Sequence, residues 1–147
     1  MEMLTEKEQA ILQLLCENSR ATVTEIARKV NLPRSTVYDK IRRFKTEGIV
    51  EKYCCLVNFN SLGLPINTTI LFKVADSEKA GFGKELVASR HTNSISRLAN
   101  DYDYLSSFAF SSMDDLHKFL DNLTARYQLK DYKILYVARE LKREGYR

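Results

Sequence analysis

Residues 32–50 read LPRSTVYDKIRRFKTEGIV and combine a basic character with an apolar repeat. Val37, Ile41 and Phe44 recur at the spacing of one face of an α-helix. Gly48 lies four residues after Phe44 and is suited to ending a helix. We therefore predict a helix that presents an apolar stripe to a core and ends at Gly48.

The opposite side of this helix carries groups that are typical of DNA contact. Pro33 suits the first turn and Ser35 is a candidate cap. A step of about 100° per residue places hydroxyls, an acid and several cations away from the apolar stripe or on its flank. Such groups hydrogen-bond base edges and phosphates, and an α-helix fits the major groove of DNA. The predicted DNA contacts are Arg34, Ser35, Thr36, Tyr38, Asp39, Lys40, Arg42 and Arg43.

The positive charge of the chain is concentrated around the same helix. Residues 20–45 hold eight basic and two acidic residues, a formal charge of +6, whereas all 147 residues together carry +4. Such a patch is the footprint of a protein that binds a polyanion such as double-stranded DNA. The alternative is a solvated surface helix in which Asp39 pairs with Arg43 one turn later. The confinement of the positive charge to one segment favours DNA binding over a solvated surface helix.

Two capping boxes precede the basic helix. Thr5 with Glu8, and Thr22 with Glu25, each place a hydroxyl and a carboxylate where they satisfy free amides at a helix start. The second of these helices should end at Asn31, which tolerates the left-handed conformation. Three short helices in this order predict a helix-turn-helix domain of winged-helix type.

The rest of the chain predicts a second domain. We assign residues 1–50 to the helix-turn-helix domain, residues 51–65 to a strand and linker, and residues 66–147 to the second domain. The first strand should begin earlier, because residues 49–58 have strand composition.

The second domain alternates strands and helices. The order β-α-β-β-α-β is the ferredoxin-like arrangement, so the fold class is α+β and two helices should cover one face of a four-stranded sheet. Gly81 and Gly83 weaken the start of the first helix. The predicted strands span residues 66–74, 95–98, 102–110 and 132–140, and the predicted helices span residues 78–89 and a segment that Ser112 opens.

The other face of this sheet should be covered by a second copy of the chain. Alternation along the third strand places its aromatic residues, Tyr102 among them, under the helices. An apolar face that remains on the other side favours a homodimer. The residues of this face are Leu71, Leu105, Ser107, Ala109, Leu135 and Val137.

Composition excludes several classes of protein. The length of 147 residues excludes a large multidomain enzyme, and a composition of 44% hydrophobic and 29% charged residues is typical of a globular protein. His91 and His117 have no neighbours at metal-ligand spacing, so neither a metal site nor a cofactor is indicated. Cys16, Cys54 and Cys55 are expected to be buried small hydrophobes. No apolar run is long enough for a membrane span or a signal peptide, which predicts a cytoplasmic protein.

Two segments resemble the Lrp/AsnC (feast/famine) family of transcription regulators. Residues 32–50 resemble the recognition helix and hinge of the family, and residues 100–105 resemble its Gly-Asp-Tyr-Asp segment, with Asn100 where the family usually has Gly. The resemblance covers nearly the whole chain. It implies a DNA-binding regulator that dimerises through its C-terminal sheet, forms tetramers or octamers, and binds an amino acid. The implied effector contacts are Asn100, Asp101, Tyr102 and Asp103.

Two other functions compete with this interpretation. Siroheme decarboxylases resemble the same two-domain build, but they need a tetrapyrrole pocket with His and Arg groups, for which only His91 beside Arg90 is placed. An architectural protein would coat DNA with little sequence preference. The basic helix has no purpose in a decarboxylase, so we predict a sequence-specific regulator that is not an enzyme.

Overall fold

The structure, a computed structural model, describes residues 4–99 and 101–143. Its two compact units are an N-terminal domain, formed by residues 4–56 with residues 141–143, and a C-terminal domain, Val57–Glu140. The N-terminal domain contains helices α1 (Glu6–Glu17), α2 (Val23–Val30) and α3 (Arg34–Thr46). The C-terminal domain contains β1 (Ile66–Val74), α4 (Lys79–Ala88), β2 (Thr92–Arg97), β3 (Tyr104–Phe110), α5 (Met113–Arg126) and β4 (Leu129–Tyr136), with 3₁₀ turns at Asn60–Leu62 and Asp76–Glu78.

Both predicted capping boxes are present. The backbone amide of Thr5 donates to the Glu8 carboxylate over 2.9 Å, and that of Thr22 donates to Glu25 over 2.7 Å. The threonine hydroxyls accept from the backbone amides of the same glutamates. Asn31 ends α2 with a φ of 50°, the predicted left-handed conformation.

Helix α3 begins two residues earlier than a Ser35 cap would require. Pro33 occupies the N-cap position with a φ of −58° and makes no side-chain cap bond, so the predicted role of Ser35 as cap is wrong. The fixed φ of proline suits the helix entry, and Ser35 lies inside the first turn. Gly48 follows the end of α3 with a φ of 71°, which explains why glycine occurs there.

The three helices enclose a small apolar core. The apolar stripe of α3 packs there, with Val37 and Phe44 fully buried and Ile41 half-buried. Burial of these side chains against α1 and α2 supplies the main stabilisation of such short helices, which are marginal when isolated. The buried members are Ile11, Leu12, Leu15, Ile26, Ala27, Val37 and Phe44.

The predicted strand over residues 49–58 is absent. Residues 51–58 form neither helix nor strand, and Leu56 is 53% exposed. Strand composition alone does not make a strand, because the backbone groups must pair with a second strand. Within the described part of this single chain, no neighbour pairs with this segment.

The cysteines also differ from expectation, since Cys16, Cys54 and Cys55 are all exposed free thiols. Two of them lie in the unpaired segment after α3, where no sheet covers them. Cys16 lies on the outer side of α1, next to the buried Leu15. Their predicted burial is therefore wrong.

The C-terminal domain confirms the ferredoxin-like arrangement. Its antiparallel sheet has the strand order β2-β3-β1-β4, with β1 and β3 in the centre. The bounds of the edge strands differ from the prediction. Strand β2 begins at Thr92, three residues earlier than predicted, and β4 ends at Tyr136, so Val137 lies beyond it. Pairing with the neighbouring strand sets these ends, and Leu129 of β4 already pairs with Val74.

Helices α4 and α5 pack on one face of the sheet. The helix-covered face of β3 presents Tyr104, Phe108 and Phe110, all buried. Tyr102 does not belong to this face, contrary to expectation, because β3 begins only at Tyr104. The core residues are Ile70, Phe72, Val74, Phe82, Leu86, Tyr104, Phe108, Phe110, Leu116, Leu120 and Leu123.

A close contact between α4 and β3 requires glycine at position 83. A Cβ atom built on Gly83 would lie 2.8 Å from the hydroxyl oxygen of Tyr104. That hydroxyl donates to the backbone carbonyl of Lys79 over 2.8 Å, which holds the ring in place. Gly83 is thus a packing position within α4, and the helix begins normally at Lys79.

Candidate DNA-binding surface and effector segment

The outward face of α3 is exposed along its whole length. Arg34 and Ser35 lie at its start, Tyr38 is 56% exposed, and Arg42 follows on the same side. A guanidinium nitrogen of Arg42 lies 3.4 Å from a carboxylate oxygen of Asp39, and both side chains are largely exposed. An exposed pair of this kind contributes little to stability, so the guanidinium remains accessible to a phosphate or a base.

The inner flank of α3 is bound to α1 by an ion-paired cluster. Glu8 is buried, and one of its carboxylate oxygens lies 2.7 Å from Nζ of Lys40 and 2.9 Å from a guanidinium nitrogen of Arg43. Its other oxygen accepts from the amide and the hydroxyl of Thr5. The hydrogen bond from Lys40 and that from the Thr5 amide together lower the pKa of Glu8 from 4.5 to about 2.

This cluster divides the predicted DNA contacts into two groups. Lys40 and Arg43 are engaged with Glu8, and Arg43 also lies 3.6 Å from Glu47. Thr36 is half-buried on the same flank. The remaining five, Arg34, Ser35, Tyr38, Asp39 and Arg42, are exposed on one surface.

Glu8 is a residue that sequence reasoning did not assign to the site. Its capping box already explains a glutamate at this position, and its second role depends on residues 32 and 35 positions later in the chain. The anticipated alternative pairing of Asp39 with Arg43 does not form, since Asp39 faces Arg42. The sequence feature that could have indicated an acidic partner for α3 was the excess of cations on the flank of this helix.

The predicted effector segment lies between β2 and β3. Asp103 is anchored there: one carboxylate oxygen accepts from the Val74 amide over 2.9 Å, and the other lies 2.6 Å from Nζ of Lys79. The same ammonium group lies 2.6 Å from Asp76. Burial raises the pKa of Asp103, but the bonds from Lys79 and Val74 outweigh it and the pKa is lowered. Hydrogen bonds to Asp103 and Asp76 raise the pKa of Lys79.

The neighbours of Asp103 have different surroundings. The hydroxyl of Tyr102 donates to Asp131 over 2.8 Å, and this bond raises the pKa of Tyr102. Asp101 is exposed. Asn100, the fourth predicted effector contact, lies outside the described residues. The structure therefore gathers Asp101, Tyr102 and Asp103 at one corner of the C-terminal domain.

His91, the residue that a tetrapyrrole pocket would need, is packed inside the domain. Its ring stacks on Phe110 at a centroid distance of 4.8 Å and contacts Phe119 at 5.6 Å. Its Nε2 lies 3.9 Å from Asp115. The imidazole is thus packed against two aromatic rings, and its Nε2 is directed toward an acidic side chain.

Residues 4–99 and 101–143 hold no group of three His, Cys, Asp or Glu side chains that could bind a metal ion. Within the same ranges, no helix has the length and apolar character of a membrane span.

Comparison with known proteins extends these observations. Residues 4–51 match a family model described as winged helix-turn-helix DNA-binding. The HTH-type transcriptional regulator FL11 of Pyrococcus abyssi is 26% identical over 118 residues, which are 80% of this chain and 78% of that protein. FL11 of Pyrococcus furiosus is 25% identical over 119 residues, which are 81% of this chain and 79% of its own length.

Solved structures match over both domains. The transcriptional regulator NMB0573 of Neisseria meningitidis, in a complex with L-Met, superposes with a TM-score of 0.88 at 26% identity and covers 96% of this chain and 94% of its own. LrpC of B. subtilis superposes with a TM-score of 0.87 at 20% identity, and the match covers 96% of this chain and 99% of LrpC. AsnC of E. coli superposes with a TM-score of 0.84 at 17% identity, and the match covers 97% of each chain. Over both domains the chain therefore has the fold of LrpC and AsnC, and its residues 4–51 match a winged helix-turn-helix DNA-binding family.

Proposed function

We propose that this regulator binds double-stranded DNA sequence-specifically through the exposed face of α3 and acts as a homodimer. The observation that carries the proposal is the basic outward surface of a helix whose opposite side is fixed to α1 by the buried Glu8. A rigidly held recognition helix loses little conformational freedom on binding, which favours selective contact with base edges.

The eight predicted contacts have separate roles in this proposal. Arg34 and Arg42 bind phosphates or guanine, and the hydroxyls and carboxylate near the helix start read bases. Tyr38 contacts a phosphate or the edge of the groove. Lys40 and Arg43 orient α3 through Glu8 and add positive charge near the DNA. The proposed base-reading group is Ser35, Thr36 and Asp39.

The uncovered sheet face supports the homodimer. Leu71 and Leu105 pair directly across β1 and β3, and Leu135 on β4 is 42% exposed. Apolar side chains in a row on an open sheet favour a second sheet packed against them. Two protomers would then present two α3 helices to successive major grooves, and pairs of dimers would form tetramers or octamers.

We propose that the corner around residues 101–103 receives an amino-acid effector. The support is chemical: the exposed Asp101 carboxylate offers an acceptor for an ammonium group. The resemblance of this segment to the family pattern and the L-Met complex of the Neisseria regulator point the same way. Asp103 serves as a support here, because Lys79 and Val74 already occupy its oxygens.

The protein would act without catalysing a reaction, in the cytoplasm where its DNA target lies. FL11 of both Pyrococcus species is named as a transcriptional regulator, which agrees with a binding function.

A DNA titration separates a specific regulator from an architectural protein. Full-length protein is titrated against its own promoter and against a shuffled promoter at one fixed salt concentration. We expect the protein to bind its promoter at least about a thousandfold more tightly than the shuffled promoter, as specific regulators do. Equal affinity for both duplexes would indicate an architectural protein, and no affinity for either would remove the DNA-binding proposal.

A further inference from the structure

An apolar groove lies between α4 and the edge strand β2. It has a volume of about 480 Å³, within the range of small-molecule sites. Ile95 and Arg97 form its strand side, and the ladder places Arg97 directly opposite Tyr104, hence on the helix-covered face of the sheet. Phe82 of α4 packs on Phe72 and Tyr104 of the inner strands, and the groove lies beside this contact.

The helix side of the groove is made of small or apolar residues. Ala80, Gly83 and Ala88 keep it shallow, and Val87 is 68% exposed beside them. Gly83 also allows the Tyr104 ring to form part of the floor, since a side chain there would collide with its hydroxyl. An apolar helix face of this kind in water favours a hydrophobic ligand.

The only charged groups among the eight residues that line the groove are cations, Lys84 and Arg97. In α4 the ion pairs are formed by Lys79 and Glu85 instead, and neither cation of the groove has a carboxylate partner among the described residues. Arginine recognises a carboxylate through two parallel hydrogen bonds, and lysine adds a point charge. The groove therefore complements an anion with an apolar body.

We propose that this groove binds a small apolar carboxylic acid without an ammonium group, such as a branched 2-oxo acid. The carboxylate lies between Lys84 and Arg97, and the carbon chain rests on Val87 and Ile95. An amino acid of the same shape is disfavoured, because its ammonium group would meet two cations and no acid in the groove. The groove shares no lining residue with the corner at residues 101–103, and the site does not depend on DNA binding.

Methyl NMR of the full-length protein tests the proposal, with 4-methyl-2-oxopentanoate and leucine as matched probes. We expect the oxo acid to shift the Val87 and Ile95 methyl signals saturably, and leucine to shift them at least about tenfold more weakly. Arg97→Gln and Lys84→Gln should each weaken oxo-acid binding about tenfold. Lys118→Gln is the matched control, because Lys118 is exposed on α5 and pairs with Asp114. This control should leave binding unchanged.

Three results would overturn the proposal. The first is that millimolar oxo acid leaves both methyl signals unmoved. The second is that Arg97→Gln binds as well as the parent, although its methyl spectrum shows a folded domain. The third is that the two signals shift with protein concentration alone, which would mean that a second copy of the chain occupies the groove. Promoter affinity, measured separately, distinguishes failure of this site from failure of the DNA-binding function.

Discussion

The Glu8 carboxylate and the Lys40 ammonium group lie 2.7 Å apart and join α1 to α3. Arg43 contacts the same oxygen, so one buried acid holds two cations of α3. A buried charge is tolerated only when it is paired and hydrogen-bonded, and all contacts of Glu8 satisfy that condition. The position of α3 therefore depends on a residue outside the proposed DNA-binding face.

Removing the charge of Glu8 should destabilise the N-terminal domain. We expect Glu8→Gln to lower the free energy of unfolding by about 2 kcal/mol, because the two cations lose their partner and the capping box is weakened. Urea unfolding followed by circular dichroism measures this change. Glu25→Gln is the matched control, since Glu25 also closes a capping box but is exposed. Equal losses in both variants would show that the contact with α3 contributes nothing.

The same contact predicts an acid dependence of stability. The pKa of Glu8 in the folded protein is about 2, below its ordinary value of 4.5. Its contribution is fully present above pH 4.5 and is lost as the pH falls toward 2. The difference in stability between the parent protein and Glu8→Gln should therefore shrink over this interval. A difference that stays constant from pH 5 to about pH 2 would contradict the lowered pKa.

The neighbouring arginines Arg42 and Arg43 should respond differently to alanine substitution. Arg42→Ala should weaken promoter binding and reduce the slope of log affinity against log salt by about one, as expected for one lost phosphate contact. Arg43→Ala should lower stability, because Glu8 loses a partner, and should change the salt slope less. Fluorescence anisotropy at several salt concentrations measures both. A larger loss of slope for Arg43→Ala would assign the phosphate contact to Arg43.

Local patterns predicted the elements of this fold well. The capping boxes at Thr5 and Thr22, the left-handed Asn31 and the apolar stripe of α3 each depend on residues within one or two helical turns. The ends of β2 and β4 were less predictable, because pairing with a distant strand sets them: Leu129 is in β4 only because Val74 lies opposite.

The candidate site was predictable in composition but not in arrangement. The basic face of α3 follows from helical periodicity alone. That Lys40 and Arg43 turn toward Glu8 depends on a contact between residues far apart in sequence. The anchoring of Asp103 by Lys79 depends in the same way on the packing of the 3₁₀ turn and α4 beside the loop before β3.

The two glycines of α4 should respond in opposite directions to alanine. Gly83→Ala should cost about 1–2 kcal/mol of stability, since its Cβ would lie 2.8 Å from the Tyr104 hydroxyl. Gly81→Ala should be neutral or stabilising by up to about 1 kcal/mol, because its Cβ would meet Tyr127 only at 3.7 Å and alanine favours the helix. Thermal unfolding of both variants tests this; equal effects would mean that the Tyr104 contact relaxes freely.

Substitutions of Asp103 and Asp101 test two different roles at the corner around residues 101–103. Asp103 supports the segment, whereas Asp101 is the proposed contact for the effector. Asp103→Asn should lower the stability of the C-terminal domain by about 1–2 kcal/mol, because Lys79 loses the more buried of its two carboxylate partners. Its lowered pKa also predicts that this contribution disappears as the pH falls below the ordinary range of an aspartate.

Asp101→Asn should leave stability unchanged and weaken binding of an amino acid. Calorimetric titration with methionine, alongside thermal unfolding, measures both; unchanged amino-acid binding by Asp101→Asn would exclude Asp101 as a contact.

A charge on the open sheet face should dissociate the dimer. Leu135→Lys introduces an ammonium group at a position that is already 42% exposed in the single chain, so the protomer should fold normally. In a dimer built on this face the same group would be buried without a partner, which costs several kcal/mol. Sedimentation velocity should therefore show monomers for Leu135→Lys and dimers for both the parent and Val87→Lys, a matched change outside this face. If Leu135→Lys still sediments as a dimer, the two protomers meet through a different surface.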